Sequence, residues 1–226
     1  MISELPLGDP VPIAAAPERP AAVLAGRDVT LRRPDLADGA PLFAATHGDL
    51  AAEAVWAYMG YGPWPTEEAM SRWIAGCVDS VDPFWYAVTA TADGSPLGMA
   101  AIMGYDPAMR RAEIGHIWYI PAAQRTTANT EAAYLMVGEC FARMGCRRVE
   151  WKCDALNERS RAAAVRLGFV FEGVFRNHMI VKGRNRDTAW YAMTPGDWSS
   201  ARPRLERWLY EAPRRDGRPV EPLGAR

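Results

Sequence analysis

Long apolar runs are missing from this 226-residue sequence. No stretch approaches the ~18 consecutive apolar residues that a membrane-spanning helix needs. No charged segment leads into an apolar one near the start, as it would in a secretory leader. The sequence therefore predicts a protein that stays out of the membrane and is located in the cytoplasm.

Cysteine and histidine are scarce and lack the spacings of metal sites. The chain has four cysteines, which are Cys77, Cys140, Cys146 and Cys153. No two of them form a C-x-x-C pair, and all four lie in apolar, periodic surroundings, which favours free buried thiols over disulfides. His47 and His178 have no metal-ligand spacing relative to cysteines or carboxylates. We therefore expect no metal.

A surplus of charge is also missing, since the formal net charge is -1. Nothing in the sequence provides the basic surface that nucleic acid or an anionic membrane would attract. We expect no nucleic-acid partner. Hydrophobic residues make up 49% of the chain and charged residues 23%, a balance that can fill a globular core.

The two ends of the chain differ from the part between them. Residues 1–26 hold five prolines among alanines, a composition that does not form regular structure, and residues 212–226 have a similar character. We expect one large domain at residues 27–211. A Pro/Ala-rich arm (1–26) would precede it, and a flexible tail (212–226) would follow it.

Strand and helix patterns alternate between these ends. Period-two alternation predicts strands at residues 27–33, 84–91, 95–105, 110–120 and 146–154, and a hairpin at 169–193 that turns near 182–185. Helical periodicity with caps predicts helices at residues 35–46, 67–80, 129–145, 158–168 and 195–210. Three meander strands are followed by a strand–helix–strand unit. This order predicts an α/β fold with a mixed (α+β) sheet, in which a central twisted sheet is flanked by helices.

The turn "QRTTAN", residues 124–129, lies where the third meander strand is followed by a helix. The first amides of a helix have no internal partners and carry the positive end of its dipole. A phosphate could bind there, helped by Arg125 and by the neighbouring threonine hydroxyls. From the turn alone, a Thr/Asn-rich helix cap beside a solvated arginine is an equally good interpretation.

A second pattern lies downstream of this turn. Asn157 and Ser160, with "LGF" at residues 167–169, form N-x-x-S-(six)-L-G-F. Together with the hairpin "FEGVFRNHMIVKGRNRDTAWYAM" and the loop "WAYMGYGPW", this pattern resembles the GNAT acyltransferase superfamily, in particular its RimJ/RimL-type branch of ribosomal-protein N-terminal acetyltransferases. The resemblance runs from Val29 to Trp198 and implies the GNAT acyl-CoA N-acyltransferase fold.

The resemblance implies acetyl-CoA as the donor co-substrate. The family's pyrophosphate-binding turn, Q/R-x-x-G-x-G/A, begins here at Gln124, with Thr127 and Asn129 at positions where glycines are usual. The pantetheine arm would lie between two neighbouring strands, where a strand amide near Trp118 or Tyr119 would meet the thioester oxygen. The residues implied for coenzyme A are Ile117, Trp118, Tyr119, Ile120, Gln124, Arg125, Thr126, Thr127, Ala128, Asn129, Thr130 and Asn157.

The resemblance also implies catalytic residues. Many members of the superfamily have a tyrosine seven residues after the asparagine, where this chain has Ala164. Ser160 is therefore expected to donate the proton to the leaving sulfur, and Asn157 to hold the pantetheine or a water molecule. A serine in the first turn of a helix can also act only as a cap for backbone amides.

The sequence leaves open which group is the base that accepts the amine proton. Glu113 and His116 are included as catalytic residues, but strand alternation would set them on opposite faces. His116 could instead be a core residue, Glu113 could only pair with a neighbouring arginine, and a chain of water molecules could take the proton. The further candidates are Asp154, His178 and Asp187.

Two regions are expected to contact the acceptor. Trp56, Tyr58 and Trp64 lie in a Gly/Pro-rich loop, where exposed rings fit an acceptor pocket, although packing over the sheet is as good an interpretation. Arg176 and Asp187 are expected to face each other across the hairpin. They could bind charged ends of an acceptor or form an ordinary cross-strand pair.

The resemblance predicts direct acetyl transfer from acetyl-CoA to a primary amine in a ternary complex, because no cysteine is expected where the thioester would bind. The acceptor could be a protein N-terminus or a small molecule. Succinyl-CoA as donor stays open, with Arg125 or Arg176 pairing its carboxylate. A catalytically weak acyl-CoA-binding module is the alternative function, and a homodimer through the apolar C-terminal helix "LERWLY" is left open.

Overall fold

The computed structural model describes residues 6–12, 18–215 and 218–224. Its strands are β1 (Val23–Ala25), β2 (Val29–Arg32), β3 (Phe84–Ala90), β4 (Pro96–Asp106), β5 (Arg111–Tyr119), β6 (Arg148–Asp154), β7 (Val170–Val181), β8 (Arg184–Met193), β9 (Arg214–Arg215) and β10 (Arg218–Pro219). Its helices are α1 (Gly39–Thr46), α2 (Leu50–Glu53), α3 (Glu67–Val78), α4 (Ala128–Ala142), α5 (Glu158–Leu167) and α6 (Pro195–Glu206). Of the helices in these ranges, none is both long and apolar enough to cross a membrane.

Eight strands form one sheet in the order β1-β2-β3-β4-β5-β6-β8-β7. The β5–β6 pair is parallel, and the other neighbours in this sheet are antiparallel. Helices pack on both faces of the sheet. The predicted mixed sheet flanked by helices is therefore confirmed, with β1, α2 and the β9–β10 ribbon as elements that the sequence patterns did not indicate.

The parallel pair β5 and β6 opens into a cleft. Its pairing covers only residues 111–113 against 148–150. Beyond that point β5 stays paired with β4 as far as Tyr119, and β6 stays paired with β8 as far as Asp154. Among the described residues, the edges of β5 and β6 that face each other here have no strand partner, so their backbone groups are left for a ligand or for water.

Two hydrophobic clusters lie on opposite faces of the sheet. One packs α4, α5 and α6 against residues such as Ile114 and Trp151. The other packs α1 and α3 against residues such as Trp85 and Trp118. Because side chains alternate along a strand, the central strands β3, β4 and β5 contribute to both layers. All four cysteines are free and buried in these clusters, as the sequence predicts.

Caps determine where the helices near the cleft begin and end. Thr66 accepts a hydrogen bond from Ala69 N at 3.3 Å and starts α3, as predicted. Gly168 ends α5 with a φ of 106°, a conformation that favours glycine. A Cβ at Gly168 would lie 2.7 Å from Ala201 Cβ of α6. The glycine of the "LGF" pattern therefore serves both the helix end and close packing.

Buried carboxylates of α4 hold the segment around β1. Glu131 is fully buried and accepts hydrogen bonds from the backbone amides of residues 27, 28 and 29 at 2.7, 2.7 and 2.8 Å. Glu139 accepts another from Ala21 N at 2.6 Å. The sheet thus begins before residue 27, where the domain was expected to start. Residues 1–5 and 13–17 of the expected arm lie outside the described residues.

Candidate active site

A cavity of about 1480 Å³ runs along the open edges of β5 and β6. Its walls come from these strands, the starts of α4 and α5, the β7–β8 hairpin, the loop before α3 and the C-terminal segment. An extended chain can lie between two free strand edges and hydrogen-bond to them as an added strand would. The cleft therefore fits the pantetheine arm that the resemblance implies.

A β-bulge at His116 changes which residues of β5 face this cavity. His116 has a φ of 52°, and the register with β4 shifts between the pairs Ala101–Gly115 and Met99–Trp118. The extra residue interrupts the alternation of side chains, so Glu113 and His116 both line the cavity. The prediction that these two residues lie on opposite faces is wrong, because it assumed a regular strand.

Beyond the bulge, the backbone amides of β5 point alternately toward β4 and toward the cleft. Ile120 N donates to Leu97 O at 2.8 Å, so the backbone of Ile120 faces β4. Residues along a strand turn their amides alternately to the two sides, which directs the amides of Ile117 and Tyr119 into the cleft. Ile117, Trp118 and Tyr119 line the cavity, whereas Ile120 packs at the margin of the core.

The predicted phosphate turn lies on the wall of the same cavity. Arg125 has a φ of 58° just before α4 begins. Thr126 Oγ1 accepts from Ala128 N at 3.2 Å and donates to Ala123 O at 2.7 Å, so this hydroxyl caps the turn itself. Ala128 is buried and does not reach the cavity. The other residues expected here line it: Gln124, Arg125, Thr126, Thr127, Asn129 and Thr130.

Asn157 and Ser160 lie together at the start of α5, and both line the cavity. Asn157 Oδ1 accepts from Ser160 N at 3.1 Å, which caps the helix and leaves the Nδ2 donors for a ligand. Ser160 Oγ accepts from the Trp151 indole nitrogen at 3.0 Å, and its own hydrogen can donate to the neighbouring Cys153 sulfur. The helix cap is therefore Asn157, and the Ser160 hydroxyl does not serve as one.

Cys153 lies in the cavity wall as well. The expectation that no cysteine lies near the thioester site is wrong, because the sequence does not reveal that the end of β6 forms this wall. Burial raises the pKa of the Cys153 thiol, and the neighbouring Ser160 hydroxyl partly opposes that rise. Only a thiolate is a strong nucleophile, so Cys153 is a weak one near neutral pH.

Glu113 pairs with a lysine of the next strand. Lys152 Nζ lies 2.8 Å from Glu113 Oε2 and 2.9 Å from Glu150 Oε2, and 4.1 Å from the centre of the Trp190 ring. Burial raises the pKa of Glu113, and the lysine opposes that rise. Glu113 is thus a carboxylate on the cavity wall with an increased affinity for a proton, a property common among catalytic bases.

Two histidines and Asp154 also line the cavity. Burial lowers the pKa of His116 to about 4, so its imidazole is neutral at neutral pH. Its ring centre lies 4.5 Å from that of Trp85. His178 Nδ1 lies 2.9 Å from Thr188 Oγ1. No three His, Cys, Asp or Glu side chains within the described ranges are placed to hold a metal ion.

Arg176 and Asp187 do not belong to the cavity wall. Asp187 Oδ1 accepts from Asn177 N at 2.7 Å and from Asn185 Nδ2 at 3.0 Å, and these two hydrogen bonds lower the pKa of Asp187. The Asp187 carboxylate therefore supports the irregular pairing of the hairpin. Of the five base candidates, it is the one that does not reach the cavity.

The loop before α3 and the β7–β8 hairpin meet beside the cavity. The Tyr58 hydroxyl donates to Leu156 O at 3.2 Å, and Lys182 Nζ donates to Trp56 O at 2.7 Å. Tyr58 lines the cavity. Trp56 is only 1% exposed and packs edge-on against Trp64 with ring centres 4.9 Å apart. These two tryptophans form part of the hydrophobic packing under the loop and are not in the cavity wall.

The C-terminal segment completes the cavity near the phosphate turn, which the sequence did not predict. Arg214 Nη1 lies 2.8 Å from Asp28 Oδ1, and Thr127 of the turn hydrogen-bonds the same carboxylate. From this anchor the β9–β10 ribbon brings Arg218 into the wall. Residues 216–217 and 225–226 lie outside the described residues. The arginines that line the cavity are Arg125, Arg159, Arg166, Arg186 and Arg218.

Comparisons with known proteins point to one family. The model of the acetyltransferase (GNAT) domain matches residues 28–170. The crystal structure of a GCN5-related N-acetyltransferase from Brucella melitensis is 37% identical, with a TM-score of 0.85 over 92% of this chain and 96% of that one. A GNAT-family structure from Chromobacterium violaceum is also 37% identical, with a TM-score of 0.76 over 86% of this chain and 99% of that one.

A third relative carries a name that refers to the ribosome. YdaF of Bacillus subtilis (strain 168), named as a candidate ribosomal N-acetyltransferase, is 31% identical over 106 residues. The alignment covers 47% of this chain and 57% of YdaF, so it spans little more than half of that relative. This match agrees with the RimJ/RimL-type branch to which the sequence patterns point.

The family match covers more than half of the chain, and the Brucella melitensis structure aligns along nearly all of its own length. The mixed sheet and the cleft between β5 and β6 agree with the family match and with the similarity to that structure. The resemblance read from the "QRTTAN" turn and the N-x-x-S-(six)-L-G-F pattern is therefore confirmed: the chain belongs to the GNAT family of N-acetyltransferases.

Proposed function

We propose that this protein transfers an acetyl group from acetyl-CoA directly to a primary amine in a ternary complex. The observation that carries the proposal is the cleft between β5 and β6, with Asn157 and Ser160 on its wall. Bound acetyl-CoA would supply the acetyl thioester, from which the amine takes the acyl group and the thiol leaves. Membership of the GNAT family supports this chemistry.

The walls of the cavity offer matching groups along its length. The amides of Ile117 and Tyr119, together with Asn157 Nδ2, suit the amide groups of a pantetheine arm. The start of α4, with Arg125 and Arg218 near it, suits phosphates, because helix N-termini and guanidinium groups both favour anions. A cleft amide of β5 can also donate to the oxyanion that forms when an amine attacks the carbonyl.

Ser160 is the proton donor in this proposal. Its oxygen already accepts from the Trp151 indole at 3.0 Å. Its hydrogen lies within reach of the Cys153 sulfur, a weak acceptor from which it can turn to the leaving thiolate. Ala164 replaces the tyrosine that many relatives use, which leaves Ser160 as the hydroxyl of α5 on this wall. The weakly acidic Cys153 thiol favours direct attack by the amine over an acyl-cysteine route.

Glu113 is the base that the geometry favours. A general base works best when its pKa is near the working pH. Burial raises the pKa of Glu113 toward that range, whereas burial takes the pKa of His116 down to about 4, away from it. Glu113 and the free strand edges of the cleft belong to one cavity, so a water molecule can relay the amine proton between them.

Calorimetric titration with acetyl-CoA and with succinyl-CoA tests the donor without knowledge of the acceptor. Asn157→Asp is the informative variant, since a carboxylate still caps α5 but the amide donors are gone. We expect affinity for acetyl-CoA to fall about tenfold in this variant, and to stay unchanged in the control Asn185→Asp at the hairpin turn, outside the cavity wall.

Transfer is then measured by release of free thiol in the presence of primary amines and peptides. Acetyl-CoA binding with amine-dependent thiol release supports the proposal, and tighter binding of succinyl-CoA would change the donor. Binding without release in the presence of any amine would instead favour an acyl-CoA-binding module. The name of YdaF makes peptides with free N-termini the first acceptors to try.

A further inference from the structure

The acidic side chains around Glu113 already have cationic partners. Lys152 Nζ lies 2.8 Å from the Glu113 carboxylate and 2.9 Å from that of Glu150. Arg148 Nε adds a second cation at 2.8 Å from Glu150 Oε1. Each of these carboxylates therefore has a close cationic partner on β6, and Arg186 of β8 adds only a longer-range attraction to Glu113.

Arg186 of β8 also lines the cavity, but no carboxylate of the described residues forms an ion pair with it. Its Nε is buried and has no hydrogen-bond partner among these residues. Trp190, four residues along the strand and on the same face, has a buried Nε1 without a partner among the described residues. One face of β8 thus presents two donors that have no hydrogen-bond partner among the described residues.

An unpaired guanidinium in a half-buried position is unfavourable, because it gives up water without gaining hydrogen bonds. Its planar fork of N–H donors matches the two oxygens of a carboxylate. Thr188, the next residue on this face of β8, and Met179, the partner of Arg186 on β7, carry no charge. Glu113 attracts Arg186 across the cavity without an ion pair to it, and is already paired with Lys152 at 2.8 Å. The guanidinium is therefore left available to an anion that enters the cavity.

We infer that Arg186 binds a carboxylate carried by the acceptor, so that the preferred acceptors are primary amines with an acidic group near the amine. The inference rests on the proposed acetyl transfer, because it defines the acceptor class of the same site. Arg186 is then a specificity-determining residue that contacts the acceptor and moves no proton. A free amino acid and a peptide with an acidic second residue both carry this chemistry.

The test uses pairs of acceptors that differ in charge: alanine against alaninamide, and the peptide amides Ala-Glu-Ala-Ala against Ala-Gln-Ala-Ala. We would measure kcat/KM at saturating acetyl-CoA for the wild type, for Arg186→Gln and for the control Arg184→Gln, an exposed arginine of the same strand. The wild type and the control are expected to prefer the acidic member of at least one pair by about 10- to 100-fold, the effect of a hydrogen bond to a charged group.

Arg186→Gln is expected to bring that ratio close to one, and Arg186→Lys, which keeps the charge without the fork, to give an intermediate ratio. A preference within the alanine pair would identify the acceptor as a free amino acid, and a preference within the peptide pair would identify it as a peptide. Melting temperatures and acetyl-CoA affinities equal to those of the wild type would establish that the variants are folded.

Equal kcat/KM values within both pairs, or a preference that survives in Arg186→Gln, would overturn the inference while acetyl transfer itself stands. A wild type that binds acetyl-CoA but acetylates none of the four amines would overturn the acceptor assignment, whereas only failure with the wider set of primary amines and peptides would contradict the proposed function.

Discussion

Replacing Ser160 by alanine removes the hydroxyl that we assign as the proton donor to the leaving thiolate. The substitution also takes away the acceptor of the Trp151 indole N–H, which lies 3.0 Å from Ser160 Oγ. Two effects are therefore expected, one on the rate and one on stability. Loss of a general acid typically lowers the rate ~10²-fold, which corresponds to about 2.7 kcal/mol of transition-state stabilisation.

The stability effect is smaller and can be separated from the rate. A buried donor left without a partner costs about 1–3 kcal/mol, which lowers the melting temperature of Ser160→Ala without affecting the rate of the remaining folded protein. The assay is kcat from thiol release, with the acetyl-CoA dissociation constant from calorimetry. We expect kcat to fall and the dissociation constant to stay within a few-fold of the wild-type value.

Two controls sharpen this experiment. Ser199→Ala removes an exposed serine hydroxyl from α6, away from the cavity, and should leave kcat unchanged. Trp151→Phe removes the indole N–H but keeps the Ser160 hydroxyl, so it should lower stability and change kcat far less than Ser160→Ala does. A Ser160→Ala protein with wild-type kcat on a good acceptor would refute the assignment.

Three further predictions follow from the site. Cys153→Ala should keep kcat within a few-fold of wild type in the thiol-release assay, because its thiol is protonated; an inactive, folded variant would favour an acyl-cysteine route. The folded pKa of His116, about 4, lies below the usual 6.5, so stability should fall as pH drops from about 6.5 to 4, by up to about 3 kcal/mol. In His116→Gln, the free energy of unfolding from denaturant titrations should lack the part of the decrease that His116 causes. The same pH dependence in this variant and in the wild type would contradict the role of His116. Arg218→Gln should weaken acetyl-CoA binding by about tenfold in calorimetry, whereas Arg215→Gln on the same ribbon, exposed and outside the cavity, should not; equal affinities would remove Arg218 from the site.

The residues of the N-x-x-S-(six)-L-G-F pattern were predictable because they belong to one helix. Their spacing alone brings Asn157 and Ser160 together at its first turn and places Gly168 at its end. The phosphate turn is similarly local, since the end of one strand and the start of the next helix are joined by a few residues. Short-range patterns of this kind need no knowledge of which strands become neighbours.

The contacts of Glu113 were not predictable in the same way. Its partner, Lys152, is 39 residues away in sequence and becomes a neighbour only because β5 and β6 pair in parallel. The bulge at His116 was equally hidden, because alternation assumes that every residue of a strand has one partner. The burial of Trp56 and Trp64 depends on how their loop packs over the sheet, and loop composition does not specify that.

The sequence by itself determined the order of most strands and helices, the family, and the residues at the two helix starts that line the cavity. Hydrophobic periodicity and cap residues act over a few positions, so residues that are close in sequence encode these features. Only the tertiary structure decided that β5 and β6 separate into a cleft, that Arg186 lies in its wall without a hydrogen bond to any described residue, and that the C-terminal ribbon closes one side. Each of these depends on segments far apart in the chain that meet because burying their apolar faces together stabilises the fold.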